Sequence, residues 1–326
     1  MEIYGMLGER LGTIGEVKKE EDKAEGAEFP QWKKDLLRKP SISIRKGIAW
    51  GYTPPYEDTD TLVLTSPKSS FVDIRFPVKR QLGEPITSDP SFWAFSGTSH
   101  MTFAPFTGDT ITMPYSAHCV WKHEIDSKGP GITDEGDLFL LPNADCIEVG
   151  SMQNPQTGKV EMYKEYWTGP PTNVAPTSAA LDIRTPCVVA KAQAPSSDGQ
   201  NMEGTSSSEI GIVIRIGNYC QGIMRQQTGE QGWPEARHAI LVERWTRNLV
   251  ETEQTSAANA GGSEEPNDAA SWVQDWRSNT PCDDGVFLPC MWTCDGNRKL
   301  GDEIVVQGIS WRIVELVLKK VAGEEA

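Results

Sequence analysis

This sequence of 326 residues predicts an all-β fold arranged as two consecutive antiparallel domains. Three observations carry the prediction. Apolar residues recur at every second position in segment after segment, and almost nothing follows the 3.6-residue period of a helix. Clusters of Gly, Pro, Asn and Asp punctuate those segments, as expected of turns joining antiparallel strands. The halves also echo one another. Ile74-Arg75, within Phe71 to Phe76, returns as Ile214-Arg215, and Glu165-Tyr166-Trp167-Thr168 returns as Glu243-Arg244-Trp245-Thr246. The length allows each half its own core, and each is most economically a small barrel or sandwich with few short helices.

Residues 1–40 are rich in Glu and Lys and predict a mobile extension, within which Pro30 to Arg38 could form a short helix carrying Trp32, Leu36 and Leu37 on one face. The first β domain is expected over 41–169. Ser41 to Ala49 alternates Ile42, Ile44 and Ile48 with polar partners. Thr61 to Thr65, the turn Ser66 to Ser70 and Phe71 to Phe76 read as a hairpin, with Val72, Ile74 and Phe76 alternating against Phe71, Asp73 and Arg75. Phe92 to Phe95, Cys119 to Ile125, Ile147 to Met152 and Val160 to Trp167 are further strand segments. Between them, Asp134-Glu135-Gly136-Asp137 and Asn154 to Gly158 read as turns.

Residues 170–180, with Pro170, Pro171 and Pro176, read as a linker, and the second β domain is expected over 181–321. Cys187 to Ala192 begins it, and 194–208 is a polar loop. Ile210 to Arg225 predicts two strands broken at Gly217-Asn218, with Ile210, Ile212, Ile214 and Ile216 on one face and Val213 and Arg215 on the other. His238 to Trp245 is a strand matching that of Trp167. The composition of 251–270 predicts a disordered insertion. After it, Ser271 reads as a helix N-cap, with Trp272 and Trp276 four apart on one helical face. A closing hairpin turns at Gln307-Gly308, with Trp311, Ile313 and Glu315 opposing Arg312, Val314 and Leu316, before a tail at 322–326.

Charge and composition exclude several classes. A net charge of −15, from 46 acidic against 31 basic residues, leaves no basic stripe for nucleic acid. No run of about 18 apolar residues is present, so no membrane insertion is expected. Glu2, Glu9 and Arg10 stand where a signal peptide would be apolar. Seven cysteines, an odd number, and the absence of an Asn-x-Ser/Thr acceptor favour a reducing cytosolic or nuclear compartment.

The repeated Arg and Glu form the most testable constellation. If their face is a barrel interior, each arginine needs a carboxylate, which predicts the pairs Arg75 with Glu165 and Arg215 with Glu243. The alternative is a solvent face on which these side chains lie flat. His118, Cys119 and His123 cluster around Trp121, yet two ligands from one strand do not make a metal site. Cys282, Cys290 and Cys294 lack paired Cys-x-x-Cys spacing and sit among Phe287, Leu288, Met291 and Trp292, so they read as small buried hydrophobes. The sequence has neither a Gly-x-Ser-x-Gly elbow nor a phosphate-cradling glycine loop, and no metal or cofactor is expected. Glu124, Asp126, Asp134, Glu135 and Asp137 read as turn carboxylates. Eleven tryptophans, among them Trp93, Trp121 and Trp167 in the first half and Trp245, Trp292 and Trp311 in the second, can fill a barrel or line a ligand cavity. Ser206, Ser207, Ser208 and Ser263 are candidate phosphosites in acidic loops.

Several segments, taken in order, resemble the fungal Hri-one family. They are Phe71 to Phe76, Phe92 to Thr98, Gly150-Ser151-Met152, the Glu165/Trp167 strand, Ile216 to Gly222 and Gly308 to Glu315, and the resemblance spans roughly 41 to 320. It implies two lipocalin-like β-barrels in a cytoplasmic and nuclear protein with no established catalysis or ligand. It also implies a partner, since the family is named from interaction with a yeast casein kinase I. It carries over no active-site residues. The expectation is therefore a non-enzymatic protein that binds a casein-kinase-I-like kinase. The second reading is a carrier of a small apolar ligand, for which Arg75, Trp93, Trp121, Glu165, Trp167, Arg215, Glu243 and Trp245 are the candidate contacts. A cofactor-independent isomerase or cyclase is the third.

Overall fold

The computed structural model describes residues 40–79, 86–103, 116–141, 143, 145–170, 186–193, 209–225, 240–247, 272–277 and 288–317. Among them the chain is almost wholly β. Eight strands form a closed barrel in simple sequence order: β1 (Ser41–Trp50), β2 (Thr59–Thr65), β3 (Ser70–Pro77), β4 (Trp93–Phe103), β5 (Ala117–Asp126), β6 (Thr133–Leu140), β7 (Cys146–Gln153) and β8 (Val160–Thr168). Each pairs antiparallel with the next, and β1 closes on β8 through registers such as Ile48 opposite Glu165. Closure removes both open edges. A 3-10 turn at Ile86–Ser88 precedes β4.

The second domain is a curled antiparallel sheet of β9 (Cys187–Gln193), β10 (Glu209–Ile216), β11 (Tyr219–Arg225), β12 (Ile240–Arg247), β13 (Trp272–Arg277), β14 (Glu303–Val306) and β15 (Ile309–Val317). Its order is β13-β12-β11-β10-β9-β15-β14. The one α-helix among the described residues, α1 (Cys290–Cys294), packs against β9, β10 and β11 with Cys290 and Thr293 buried. Gln307 and Gly308 both have positive φ, 52° and 79°, so the β14–β15 hairpin turns in the mirror-image geometry that matches strand twist.

The two domains pack back to back through one apolar core. Val72, Ile74 and Phe76 leave the barrel on its outer side and meet Ile212, Ile214, Ile216 and Ile223 of the second sheet. Strand β3 is buried at every position, because its inner face lines the barrel and its outer face is this shared core. Polar ties cross the same boundary. Gln221 Nε2 donates to the carbonyls of Leu62 (2.8 Å) and Val72 (2.7 Å), and Arg244 Nη2 donates to that of Ile74 (2.7 Å).

Register shifts overturn three alternation expectations. In β1 the shift between Arg45 and Gly47 leaves Ile42 and Ile44 in the shared core but carries Ile48 to Trp50 and Tyr163. In β10 the shift between Glu209 and Gly211 puts Ile210 with Val213 and Trp311, away from Ile212, Ile214 and Ile216. In β15 the shift between Ile313 and Glu315 separates Glu315 from Trp311 and Ile313, so that its carboxylate accepts from Ser66 Oγ of the barrel at 2.9 Å. Each is one extra residue, which exchanges the faces of everything beyond it.

Two local readings are also corrected. Asp134-Glu135-Gly136-Asp137 lies within strand β6 and makes no turn. Its glycine answers a packing demand, since a Cβ at Gly136 would stand 2.9 Å from Cγ of Glu148. Trp272 to Arg277 is a strand paired with β12 where a helix was expected. The spacing of four fits a helix face, but pairing with β12 makes this segment a strand, with a register shift between Gln274 and Trp276. Residues 1–39 of the N-terminal extension with its short helix, residues 171–180 of the 170–180 linker, the 194–208 loop, the 251–270 insertion, the 322–326 tail, Cys282, Ser271 and the four candidate phosphosites lie outside the described residues.

Candidate functional site

The inner wall of the first barrel collects ionisable side chains. Alternation along β3 turns Phe71, Asp73 and Arg75 inward once Val72, Ile74 and Phe76 are committed to the shared core. Trp93 and Phe95 follow from β4, Trp121 and His123 from β5, Glu148 from β7, and Tyr163 and Glu165 from β8. Arg45 of β1, level with Trp167 and alternating with the outward Ile42 and Ile44, joins them beside Glu165.

Glu165 is the hub. Its Oε1 accepts from Arg45 Nη1 at 2.5 Å and from Arg75 Nη1 at 3.5 Å, so the expected Arg75–Glu165 pair forms and a second arginine joins it more closely. Arg45 also donates through Nε and Nη2 to Glu57, each at 2.9 Å, and through Nη2 to Thr59 Oγ1 at 2.7 Å. Arg75 makes a two-pronged contact with Asp73 Oδ2, at 3.1 Å from Nε and 2.9 Å from Nη2. Its guanidinium lies 4.7 Å from the centre of the Trp93 ring and 5.3 Å from that of Phe95, a cation–π arrangement. Burial lowers the tendency of Arg75 to hold its proton, but Asp73 and Glu165 outweigh it and the net shift is upward.

A second group lies beside the first. His123 Nδ1 is 2.6 Å from Asp126 Oδ2, while Asp126 Oδ1 accepts from Trp93 Nε1 at 3.0 Å and from the backbone N–H of Lys128 at 2.6 Å. Phe95 stacks on the His123 ring at 4.1 Å between centres, and Phe71 meets it edge-on at 6.1 Å.

Across the barrel, Tyr163 donates its hydroxyl to Glu148 Oε1 at 2.8 Å. Gly150 makes room for that tyrosine, since a Cβ there would lie 2.4 Å from the hydroxyl oxygen. Burial first, then the nearby charges of Glu165 and Asp134, push the Glu148 carboxyl well above its ordinary range. Asp73 is also raised, because burial outweighs the pull of Arg75.

Among the described residues, three inward polar atoms are buried without a protein partner: Asp73 Oδ1, His123 Nε2 and Trp167 Nε1. Leaving such an atom unsatisfied typically costs about 1–3 kcal/mol.

The second sheet does not repeat this site. Arg215, 9% exposed, makes no ion pair with Glu243; its Nε donates to the Gly217 carbonyl at 3.3 Å and its guanidinium lies 5.6 Å from the Trp272 ring centre. Glu243 accepts instead from Trp245 Nε1 and from the Leu288 backbone N–H, each at 3.0 Å. Register explains the failure. Glu243 stands opposite Gly222, beside Val213, whereas Arg215 is level with Cys220 and Trp245.

Arg75, Glu165, Trp93, Trp121 and Trp167 therefore share the first barrel, and Arg215, Glu243 and Trp245 belong to the second sheet. Sequence reasoning did not single out Arg45, Asp73, His123, Glu148 or Tyr163 as one site. The alternation Phe71, Asp73, Arg75 pointed to Asp73, and Arg45, which precedes the β1 shift and alternates with the outward Ile42 and Ile44, was open to the same reading. His118 is on the outer surface, 3.0 Å from Asp137, apart from His123.

The family model described as Protein HRI1 matches residues 41–315. The chain belongs to the HRI1 family. That match covers both domains, from the first residue of β1 into β15. A solved structure, that of the uncharacterized protein YLR301w from Saccharomyces cerevisiae, is similar at 16% identity and a TM-score of 0.55, covering 85% of this chain and 98% of that one. At that identity the similarity establishes the HRI1 fold alone. A search of curated proteins gives no match.

Proposed function

We propose that this HRI1-family chain is a non-enzymatic binding protein whose first barrel holds one small molecule. The observation that carries this is the set of buried, unpartnered atoms Asp73 Oδ1, His123 Nε2 and Trp167 Nε1 on the inner side of a closed eight-stranded barrel. Barrels of about eight strands either fill with side chains or hold one small ligand. Here the lining mixes aromatic walls with charge, so a ligand would need polar groups as well as apolar surface. A hydrolytic reading needs a hydroxyl or thiol against the free nitrogen of the histidine, and His123 Nε2 has none among the described residues. Native mass spectrometry of protein purified from its own host tests the proposal. One bound molecule per chain supports it, and a bare chain under gentle desolvation refutes it.

The partner reading has separate support. The resemblance to the Hri-one family implies a casein-kinase-I-like kinase as partner, and β8 turns Val160 and Met162 outward with exposures of 75% and 58%. Exposed apolar residues at alternate strand positions suit a protein contact. A Val160→Asp/Met162→Asp double variant is expected to lose capture by the immobilised kinase domain. Unchanged capture removes β8 from this reading, and no capture by the parent chain removes the kinase. Fluorescent fusions are expected in both cytoplasm and nucleus.

A further inference from the structure

Of the three unpartnered inward atoms among the described residues, Asp73 Oδ1 and His123 Nε2 are acceptors and Trp167 Nε1 is a donor. Asp73 Oδ2 is already committed to Arg75, which leaves Oδ1 as a carboxylate oxygen with no donor among the described residues. The histidine tautomer follows from its neighbour. Asp126 takes donors from Trp93 and Lys128 on Oδ1, so Oδ2 faces His123 as an acceptor and Nδ1 must carry the hydrogen. In the uncharged ring Nε2 is then a bare lone pair. Its side chain is only 1% exposed, and that of Asp73 is 4% exposed.

These acceptors belong to one neighbourhood. Asp73 stands opposite Phe95 across the β3–β4 ladder and two residues from Phe71, and both rings contact His123. Trp93 and Trp121 complete an aromatic wall around them. The surrounding charge has the same sense. Among the described residues, Asp73, Glu148, Glu165 and half-buried Asp134 outnumber Arg45 and Arg75, both of which are already engaged by Glu57, Asp73 and Glu165, while the Lys128 ammonium lies over the Trp93 ring at 3.6 Å.

We propose that the first barrel selects a small molecule bearing nitrogen hydrogen-bond donors on a flat apolar ring, an aromatic amine or amidine, with its N–H groups on Asp73 Oδ1 and His123 Nε2. This rests on the reading of the barrel as a ligand site and names the class of its ligand. An anion would meet unpaired acceptors and an excess of carboxyls, and a hydrocarbon would leave both acceptors bare.

Calorimetric titration of the full chain with benzamidine, benzylamine, benzyl alcohol and benzoate tests it. Benzamidine or benzylamine is expected to bind at least tenfold more tightly than benzoate. Asp73→Asn is expected to weaken benzamidine at least tenfold. His123→Phe, which keeps a ring against Phe95 and removes Nε2, provides a second variant that leaves the Arg75 contacts in place. A shift of the His123 Nε2 resonance on adding benzamidine locates binding at this site. The inference is overturned if benzoate binds as tightly as the amines, if neither well-folded variant changes benzamidine affinity, or if only water occupies the interior in crystals soaked with benzamidine. A host-derived ligand seen by native mass spectrometry that carries no nitrogen donor overturns this inference while leaving the ligand-binding reading intact.

Discussion

The side-chain amide of Gln221 reaches out of the second sheet and donates a 2.7 Å hydrogen bond to the backbone carbonyl of Val72, in the strand that walls both the barrel and the shared core. The same nitrogen serves Leu62, and Gln221 Oε1 accepts from Arg244 Nε at 3.3 Å, so one buried amide sits at the centre of the boundary. Gln221→Ala is expected to destabilise the protein by about 2–4 kcal/mol, the sum of two or three modest bonds and the groups left bare. Urea unfolding followed by tryptophan fluorescence and by far-ultraviolet dichroism reads the loss. A change below about 0.5 kcal/mol contradicts it.

The sequence echo between Arg75 and Arg215 conceals unequal environments. Arg75→Met leaves Asp73 and part of Glu165 uncompensated in the barrel and is expected to cost about 3–5 kcal/mol. Arg215→Met gives up one bond to a carbonyl and a ring contact, and is expected to cost less than about 1.5 kcal/mol. Equal losses in chemical denaturation would show that the two halves carry equivalent pairs after all.

Glu148 ties stability to pH with a definite sign. Its folded-state carboxyl is held above the ordinary value of 4.5, so between that value and its folded-state value the native chain binds more protons than the unfolded chain. Stability from this group therefore falls as pH rises from about 4.5. Glu148→Gln keeps an acceptor for Tyr163 and removes the titration. Its stability relative to the parent is expected to improve steadily from pH 4 toward pH 7, and a pH-independent difference in melting temperature would contradict this.

Gly150 and Tyr163 share one space. Gly150→Ala places a methyl group 2.4 Å from the tyrosine hydroxyl and must displace it from Glu148. The expected cost is about 1–3 kcal/mol for overpacking, with a further loss for the broken bond. A Gly150→Ala/Tyr163→Phe double variant is expected to recover part of it, and thermal unfolding of the three variants tests the coupling.

Much of this architecture was legible in period and punctuation. The hairpins around Ser66 to Ser70, Gly217-Asn218 and Gln307-Gly308 follow from turn chemistry, and the inward set Phe71, Asp73, Arg75 follows from the apolar commitment of Val72, Ile74 and Phe76. What escaped has one dominant physical cause. A register shift adds a residue without changing composition, so Ile48 and Glu315 landed on faces that alternation did not assign them. Gly136 misled for the converse reason: it is a glycine because Glu148 fills the space beside it, and spatial crowding leaves no local mark in the sequence.

The bond from Glu315 to Ser66 spans 249 positions of chain. During synthesis the β2–β3 turn must therefore wait for almost the last strand before its hydroxyl finds this acceptor. The outer surfaces of Leu62, Leu64, Val72 and Ile74 stay wetted until β10 leaves the ribosome. The barrel is contiguous in sequence, yet its maturation is not vectorial, and the interval before β10 arrives is when a nascent chain would most need a chaperone to cover it.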